Sequence, residues 1–340
     1  MRRNTLLLSR RAFTTGLVGV PALARSSFGQ ATSIRLGKQY GLPYLPQMVM
    51  ESQQLIEKHA AALGVPTLTV GWLTMGGPGA LNEALLSGGL ECINVAPPTL
   101  GTLWDKTAGT PLETRGLCAV QSMPYLLVTR RAEVKTIADF TEQDRIAVPT
   151  AKISGQAMAL QIAVGKLWGF ANYEKLDPLT LTLPHPDAMQ ALFSGQITGH
   201  FAVAPFYYEE LKRSDMHTVL KSYDAVGGKH TNGLQLTTKR FYDANPRICE
   251  AVRHAHEDAN AFIKAHPRDA AEIYARLAGD KRNSIDDLTK MIADPDNDWT
   301  TVPANIMTLV EFMHKVGRIK RMPGSWKDLF LPGIHDVAGS

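Results

Sequence analysis

Three cysteines in 340 residues (Cys92, Cys118 and Cys249) are too few and too scattered for a disulfide framework. With no Cys-x-x-Cys pair among them, a zinc cluster is not signalled either. Cys92 and Cys118 lie in apolar, strand-like runs and read as small buried hydrophobes, while one disulfide stays open. Long apolar runs are also missing. The nearest approach, Thr14 to Ala24, carries no charge but falls far short of the ~20 residues that span a bilayer as a helix.

The usual catalytic signatures are weak as well. Ser154-Gly155 does not form a Gly-x-Ser-x-Gly elbow, and Gly195 follows a helical segment instead of opening one. His254 and His256 stand two apart on a helical segment and diverge, so with Glu257 they do not make a His-x-x-x-His metal face. Asp294, Asp296 and Asp298 mimic the start of a calcium loop, but Trp299 holds the turn-glycine position and Asn305 the final glutamate position. A polar turn before a helix at Pro303 is the better reading. No metal, cofactor or catalytic residue is expected.

What the chain does have begins at its amino end. Arg2, Arg3, Arg10 and Arg11 precede an apolar stretch and a small-residue exit, the layout of a cleavable export signal. Ser9-Arg10-Arg11-Ala12-Phe13 resembles the twin-arginine export signature, with Thr14 and Thr15 departing from the Leu-Lys that often follows. Cleavage fits after Ala24 or after Ala31, and Ala31 is favoured. A basic nucleic-acid-binding arm is the competing reading, but such arms lack an apolar centre. Resemblance to the twin-arginine route implies a protein delivered folded to a bacterial periplasm.

Residues 1–31 hold five arginines and no acid, so the remainder carries 31 basic against 32 acidic side chains, a formal net of −1. The basic balance of the whole chain therefore belongs to the leader, and a global electrostatic case for nucleic acid disappears.

The other 309 residues are enough for about two domains. Short β-type runs alternate with helix-length segments, the pattern of an α/β fold with largely parallel sheets. Strands are expected at 34–37, 67–73, 91–95, 117–120, 125–128, 145–148, 179–183, 200–203, 219–223 and 234–237. Helices are expected at 46–63, 80–86, 99–106, 155–168, 187–193 and 206–213. Beyond 245 the strands stop, and Ile248, Val252, Ala255, Ala259, Phe262 and Ile263 recur at helical spacing, with further helices at 284–293 and 303–317.

Open α/β sheets bind ligands beyond the carboxyl ends of their strands. Here those ends are rich in glycine and proline and almost free of charge. Four joints precede helices: Tyr40-Gly41-Leu42-Pro43, Met75-Gly76-Gly77-Pro78-Gly79, Ala96-Pro97-Pro98-Thr99, and Thr150 to Gln156. First-turn N–H groups there can face a cleft and hold an anion. Thr99 and Ser154 are apt N-cap residues whose hydroxyls can instead point at a ligand.

In this order the segments resemble the periplasmic substrate-binding proteins of ABC importers, in the nitrate/sulfonate/taurine group. The resemblance is carried by "GGPGALNEALLSGGLECINVAPPTLGTLW", "MPYLLVTRRAEVKTIADFTEQDRIAVPTAKISGQAMAL", "HPDAMQALFSGQITGHFAVAPFYYEEL", "FYDANPRICEAVRHAHEDANAFIKAHPRDAAEIY" and "WTTVPANIMTLVEFMHKVGRIKRMPGSWKDLF". It implies a two-lobed, type II-like periplasmic-binding-protein fold. Each lobe is then a mostly parallel sheet flanked by helices, with the ligand between lobes. Lobe one would combine 32–121 with 232–340, and lobe two would hold 122–231. It further implies a monomer that captures a small, anionic organic or inorganic solute and passes it to an ABC permease with its ATPase. A ligand-sensing subunit of a signalling system, or less readily an exported enzyme, uses the same cleft. One relative of this fold is a pyrimidine-forming synthase of thiamine metabolism, and its Cys-rich cluster has no counterpart here.

The resemblance places Tyr40, Gly41, Leu42, Met75, Gly76, Gly77, Ala96, Pro97 and Thr99 on the lobe-one wall. Ser154, Gly155, Gln156, His185, Ala204 and Pro205 face them, and Ser122 and Met123 lie at a crossing. His185, between Pro184 and Pro186, can donate to an anion or simply be a solvated loop histidine. Tyr40 and Tyr44 can cover a hydrophobic portion of a ligand but are expected to pack against lobe one, and Lys152, the nearest fixed cation, to be solvated. Ser154→Trp is expected to fill the cleft and leave the fold intact.

Overall fold

The structure is a computed structural model that describes residues 31–340. The export signal, all but its last residue, lies outside the described residues. The ten strands are β1 (Ser33–Lys38), β2 (Thr69–Thr74), β3 (Cys92–Val95), β4 (Thr114–Ser122), β5 (Leu126–Thr129), β6 (Ile146–Val148), β7 (Thr180–Thr182), β8 (Gly199–Ala202), β9 (His217–Lys221) and β10 (Thr231–Thr238). They form two five-stranded sheets, ordered β2-β1-β3-β10-β4 and β7-β6-β8-β5-β9. Counted within its own sheet, each has the same order: second, first, third, crossing strand, fourth.

In both sheets the first strand pairs in parallel with the second and third. Only β10 and β5 run antiparallel to their neighbours. Chain direction explains this. Both are entered from the other sheet, so they start at the end where the remaining strands finish. The carboxyl ends of eight strands therefore face one shared cleft, the location that open α/β sheets use for ligands.

The helices are α1 (Leu45–Gln53), α2 (Leu55–Ala62), α3 (Pro78–Ser87), α4 (Pro97–Thr107), α5 (Gly155–Trp168), α6 (His185–Ser194), α7 (Phe206–Leu211), α8 (Ser222–Val226), α9 (Lys239–Ala244), α10 (Pro246–Ala265), α11 (Pro267–Ala278), α12 (Ile285–Ile292) and α13 (Ile306–Lys315). The expected helix 46–63 is broken where Gln54 adopts the left-handed region, φ 53°, and its N–H returns to Glu51 O and Met50 O. No glycine or proline marks that break. α3 and α4 begin on proline, whose fixed φ suits a first helical position, two residues before their expected starts. The 303–317 helix starts instead at Ile306, after Asn305 at φ 53°.

Two glycines mark close approach. A Cβ on Gly37 of β1 would meet Leu81 Cδ2 at 2.4 Å, and one on Gly116 of β4 would meet the Phe330 ring at 2.5 Å. Helix α3 and the carboxyl-terminal segment thus lie directly on strand backbone. Along α10 the buried set Ile248, Val252, Ala255, Ala259 and Ile263 follows helical spacing and backs the first sheet. Each large aliphatic side chain removed from water there contributes about 1.5–3 kcal/mol.

The chain crosses between sheets at Met123-Pro124-Tyr125 and again through α8 to His230. The crossings are tied together. Tyr125 N donates to Ser222 Oγ at 3.0 Å, Ser222 N donates to Tyr125 O at 3.0 Å, and Asn232 Nδ2 donates to Met123 O at 3.2 Å. A third segment runs alongside. Ser122 and Asp298 exchange backbone hydrogen bonds at 2.8 Å, and Lys221 Nζ lies 2.5 Å from Asp296 Oδ2. The acidic run 294–298 is a turn at the crossing.

Candidate functional site

The loops after β1, β3, β6, β7 and β8 converge on an inner cavity of about 20 Å³ between the sheets. Its wall is Gln39, Pro43, Tyr44, Pro78 and Ala96 from the first-sheet side. Pro149, Ser154, Gly155, Gln156, His185 and Val203 come from the second, and Tyr125 and Asn232 from the crossings. Among the described residues, no carboxylate, lysine or arginine lines the cavity. Its polar side chains are the amides of Gln39, Gln156 and Asn232, the phenols of Tyr44 and Tyr125, the Ser154 hydroxyl and the His185 imidazole.

Glycines and backbone set this close fit. Leu42 N donates to Ala204 O at 2.8 Å across the cleft. A Cβ on Gly41 would meet Ala204 O at 2.8 Å, one on Gly77 would meet Pro149 O at 2.5 Å, and one on Gly155 would meet Tyr125 Oη at 2.4 Å. Gly76 lies against Pro184. The glycine-proline joints thus make the closest backbone approaches between the two sides at the cleft.

The residues assigned from sequence divide into groups. Ala96, Ser154, Gly155, Gln156 and His185 line the inner cavity. Tyr40, Gly41 and Pro205 line an adjoining outer cavity of about 590 Å³. Leu42, Gly76, Gly77 and Ala204 make the contacts across the cleft, whereas Met75 is half-buried beside them. Pro97 is buried at the start of α4. Ser122 and Met123 are buried in the first crossing.

Thr99 is a correction. Because α4 starts at Pro97, its N-cap is Ala96, and Thr99 sits in the first turn, fully buried, its Oγ1 without a hydrogen-bond partner among the described residues. Ser154 is a cap: its Oγ accepts from Ala157 N at 3.2 Å. Ser154→Trp would remove that bond at a position 1% exposed, so the expectation of an undisturbed fold is withdrawn. Lys152 is exposed, with φ 65° and its carbonyl accepting from Arg318 Nη1 at 2.6 Å. Tyr44, expected to pack within lobe one, also reaches the inner wall.

His185 is no solvated loop residue. It is 5% exposed, opens α6, and stacks on Phe206 with centroids 5.4 Å apart and 20° between planes. Behind it stands a buried row that the sequence reading missed. His185 Nδ1 lies 2.8 Å from His200 Nε2, and His200 Nδ1 lies 2.5 Å from Glu210 Oε1. In front, the Gln156 side-chain amide is 3.2 Å from His185 Nε2. Burial holds both imidazoles neutral: His200 is pushed down to about 3, and His185 falls well below its ordinary range, with the nearby His200 adding to the effect. Burial also raises Glu210 well above the usual carboxylate range.

A buried fixed cation with no mark in the sequence is Lys38, at the end of β1; Lys281 and Arg282 line the same outer cavity from its exposed rim. Lys38 is 6% exposed, pairs with Glu51, and its ammonium stands 5.5 Å from the Trp72 ring centroid in the outer cavity.

The sequence matches no protein-family model and no curated protein. Solved structures do match. The alkanesulfonate-binding protein SsuA from Xanthomonas axonopodis pv. citri, bound to MOPS, superposes with a TM-score of 0.67 at 16% identity, covering 87% of this chain and 96% of its own. A Candida albicans gene product exhibiting the generic periplasmic binding protein fold gives 0.60 at 11% identity, covering 88% and 96%. The chain has the periplasmic-binding-protein fold. In addition, this binding-protein fold is shared with the periplasmic nitrate-binding protein NrtA from Synechocystis PCC 6803, with a TM-score of 0.65 at 14% identity, covering 87% and 84%.

Proposed function

We propose that this chain is a periplasmic solute-binding protein that closes two lobes over a small anionic solute and delivers it to an ABC permease. The lobes are 32–121 with 232–340, and 122–231. One observation carries the reading. The cleft between the sheets narrows to a buried space lined by hydrogen-bonding groups without fixed charge, and both sides meet through glycine-proline loops. An anion there would be held by neutral donors and by first-turn N–H groups of α5, in a site of low dielectric where such bonds are strong. Solutes named for proteins of this fold, alkanesulfonate and nitrate, are of that class.

The same geometry argues against an enzyme. The hydroxyl nearest to an activated serine, Ser154 Oγ, already accepts from Ala157 N, and burial pushes the Cys92 thiol up to about 12. Delivery to the periplasm rests on the twin-arginine pattern at Ser9 to Phe13, and exported protein should begin at Thr32 on N-terminal sequencing.

The test is a thermal-shift screen of residues 32–340 against nitrate, taurine, alkyl and aromatic sulfonates, carboxylates and pyrimidines. A ligand at 100 times its Kd adds about 2.7 kcal/mol of stability. An anion should stabilise the protein and be recovered unaltered. Recovery of a chemically changed compound would overturn this reading in favour of an enzyme.

A further inference from the structure

The row Gln156, His185, His200, Glu210 runs from the inner cavity into the second lobe, every member buried. An imidazole that is neutral has one donor and one acceptor nitrogen. The two rings in contact must therefore be polarised in the same direction. Either the protons point from His185 toward Glu210, or they point from Glu210 toward the cavity. We propose that Glu210 and His200 are positioning residues that fix the tautomer of His185, so that its Nε2–H is a donor aimed at an acceptor oxygen of the bound anion. This deepens the solute-binding reading and rests on it.

The geometry favours the second direction. Glu210 Oε2 has no hydrogen-bond partner among the described residues. A carboxylate left with an unpartnered buried oxygen is costly, whereas the neutral acid keeps a single O–H to donate. As the acid, Glu210 donates from Oε1 to His200 Nδ1. His200 Nε2–H then donates to His185 Nδ1, and His185 Nε2–H faces the cavity. Gln156, turned about its terminal bond, offers its amide oxygen to that proton until a ligand oxygen takes its place.

Among the described residues, the surroundings hold no counter-ion for an ionised Glu210. Of the packed elements, β5 and β6 carry no titratable side chain. On α6 they are His185 itself and the exposed Asp187. α7 adds Tyr207, Tyr208 and Glu209, with Glu209 paired to Lys212 Nζ at 2.5 Å and Tyr208 bonded to Asp294. The upward shift of Glu210 from burial agrees with the neutral form.

The deciding experiment needs no ligand. In wild-type protein with 15N-labelled histidine, NMR couplings across the hydrogen bond between the two rings show which nitrogen carries the shared proton. The expected proton sits on an ε nitrogen, that of His200, with a bare δ nitrogen on His185. A shared proton on a δ nitrogen, or none detected between the rings, overturns the proposal. With the anion identified by the screen, Glu210→Leu should weaken binding by about tenfold or more, the scale of one donor lost. Glu210→Gln, whose amide N–H can replace the acid proton, should stay within about twofold. Wild-type affinity should also fall as rising pH ionises Glu210 and reverses the row, and Glu210→Gln should lose that dependence. Equal affinity in wild type and Glu210→Leu would overturn the role in binding. A shared proton on the ε nitrogen together with no anion binding would leave the row intact and remove the solute reading instead.

Discussion

Lowering the pH from 6.5 to 4.5 should cost the folded protein about 4 kcal/mol per pH unit at the steepest. Four histidines are held neutral by burial: His200 and His256 are pushed down to about 3, His230 to about 4, and His185 well below its ordinary 6.5. They lie between 0% and 5% exposed, so solvent screening does little to soften the effect. For a base with a depressed folded value, the unfolded chain binds the proton first. Stability is complete above 6.5 and drains away as pH falls toward the folded values. Glu210 acts in the opposite sense. Its folded value is raised above the ordinary 4.5, so it favours the folded state as pH falls toward 4.5. Four protons taken up on unfolding, against one released, leave a net of about three, each worth about 1.4 kcal/mol per unit. Two units of such a slope approach the whole stability of an ordinary domain. Urea midpoints measured across this window give the proton count. His256→Gln should lower it by one, because His256 faces only the Gln235 amide, at 3.0 Å. A slope of less than one proton in the wild type would contradict the buried-neutral assignment.

Gly77→Val should reduce ligand affinity by about 100-fold while leaving the fold near wild-type stability. Gly77 has φ −173°, an extended backbone that any residue adopts, so the substitution brings no backbone strain. It is the N-cap of α3 without a side-chain bond, and changes of that kind cost about 1 kcal/mol or less. The clash comes from across the cleft. A Cβ there lies 2.5 Å from Pro149 O and 2.7 Å from Thr150 Oγ1, both in the loop after β6 of the second sheet, and the two branches of valine add to the overlap. On the proposed two-lobed reading the lobes must part to admit it, so the energy is lost from closure and not from folding. Calorimetric titration against denaturation separates the two. Wild-type affinity in this variant would mean that Gly77 and Pro149 do not meet in the bound state.

These two results draw on features that were unequally visible in the sequence. The ten strands and the loops that reach the cleft are legible because apolar β-type runs end at glycine and proline, whose local chemistry needs no tertiary context. The Gly76-Gly77-Pro78 joint is such a case. The break at Gln54 was not legible, since its left-handed turn comes in a run of good helix formers. Thr99 was misplaced because a hydroxyl near a helix start outweighed Pro97, although proline at the first helical position was the better signal. The inner row escaped for a different reason. His200 lies within a strand and Glu210 within a short helix, and only the packing of α7 beside β5 and α6 brings them behind His185. A histidine in the otherwise apolar strand Gly199–Ala202 was the available hint. Tyr125 and Asn232 reach the cavity only because the two crossings meet there.

Small-angle X-ray scattering of residues 32–340, with and without the stabilising anion from the screen, tests the central claim most directly. Hinge closure about the crossings at 122–126 and 222–231 predicts a smaller radius of gyration with the anion, and a scattering curve matching the closed arrangement in which Leu42 N reaches Ala204 O. For Gly77→Val the contraction should be incomplete. An unchanged radius of gyration at saturating anion would contradict closure of two lobes over the ligand.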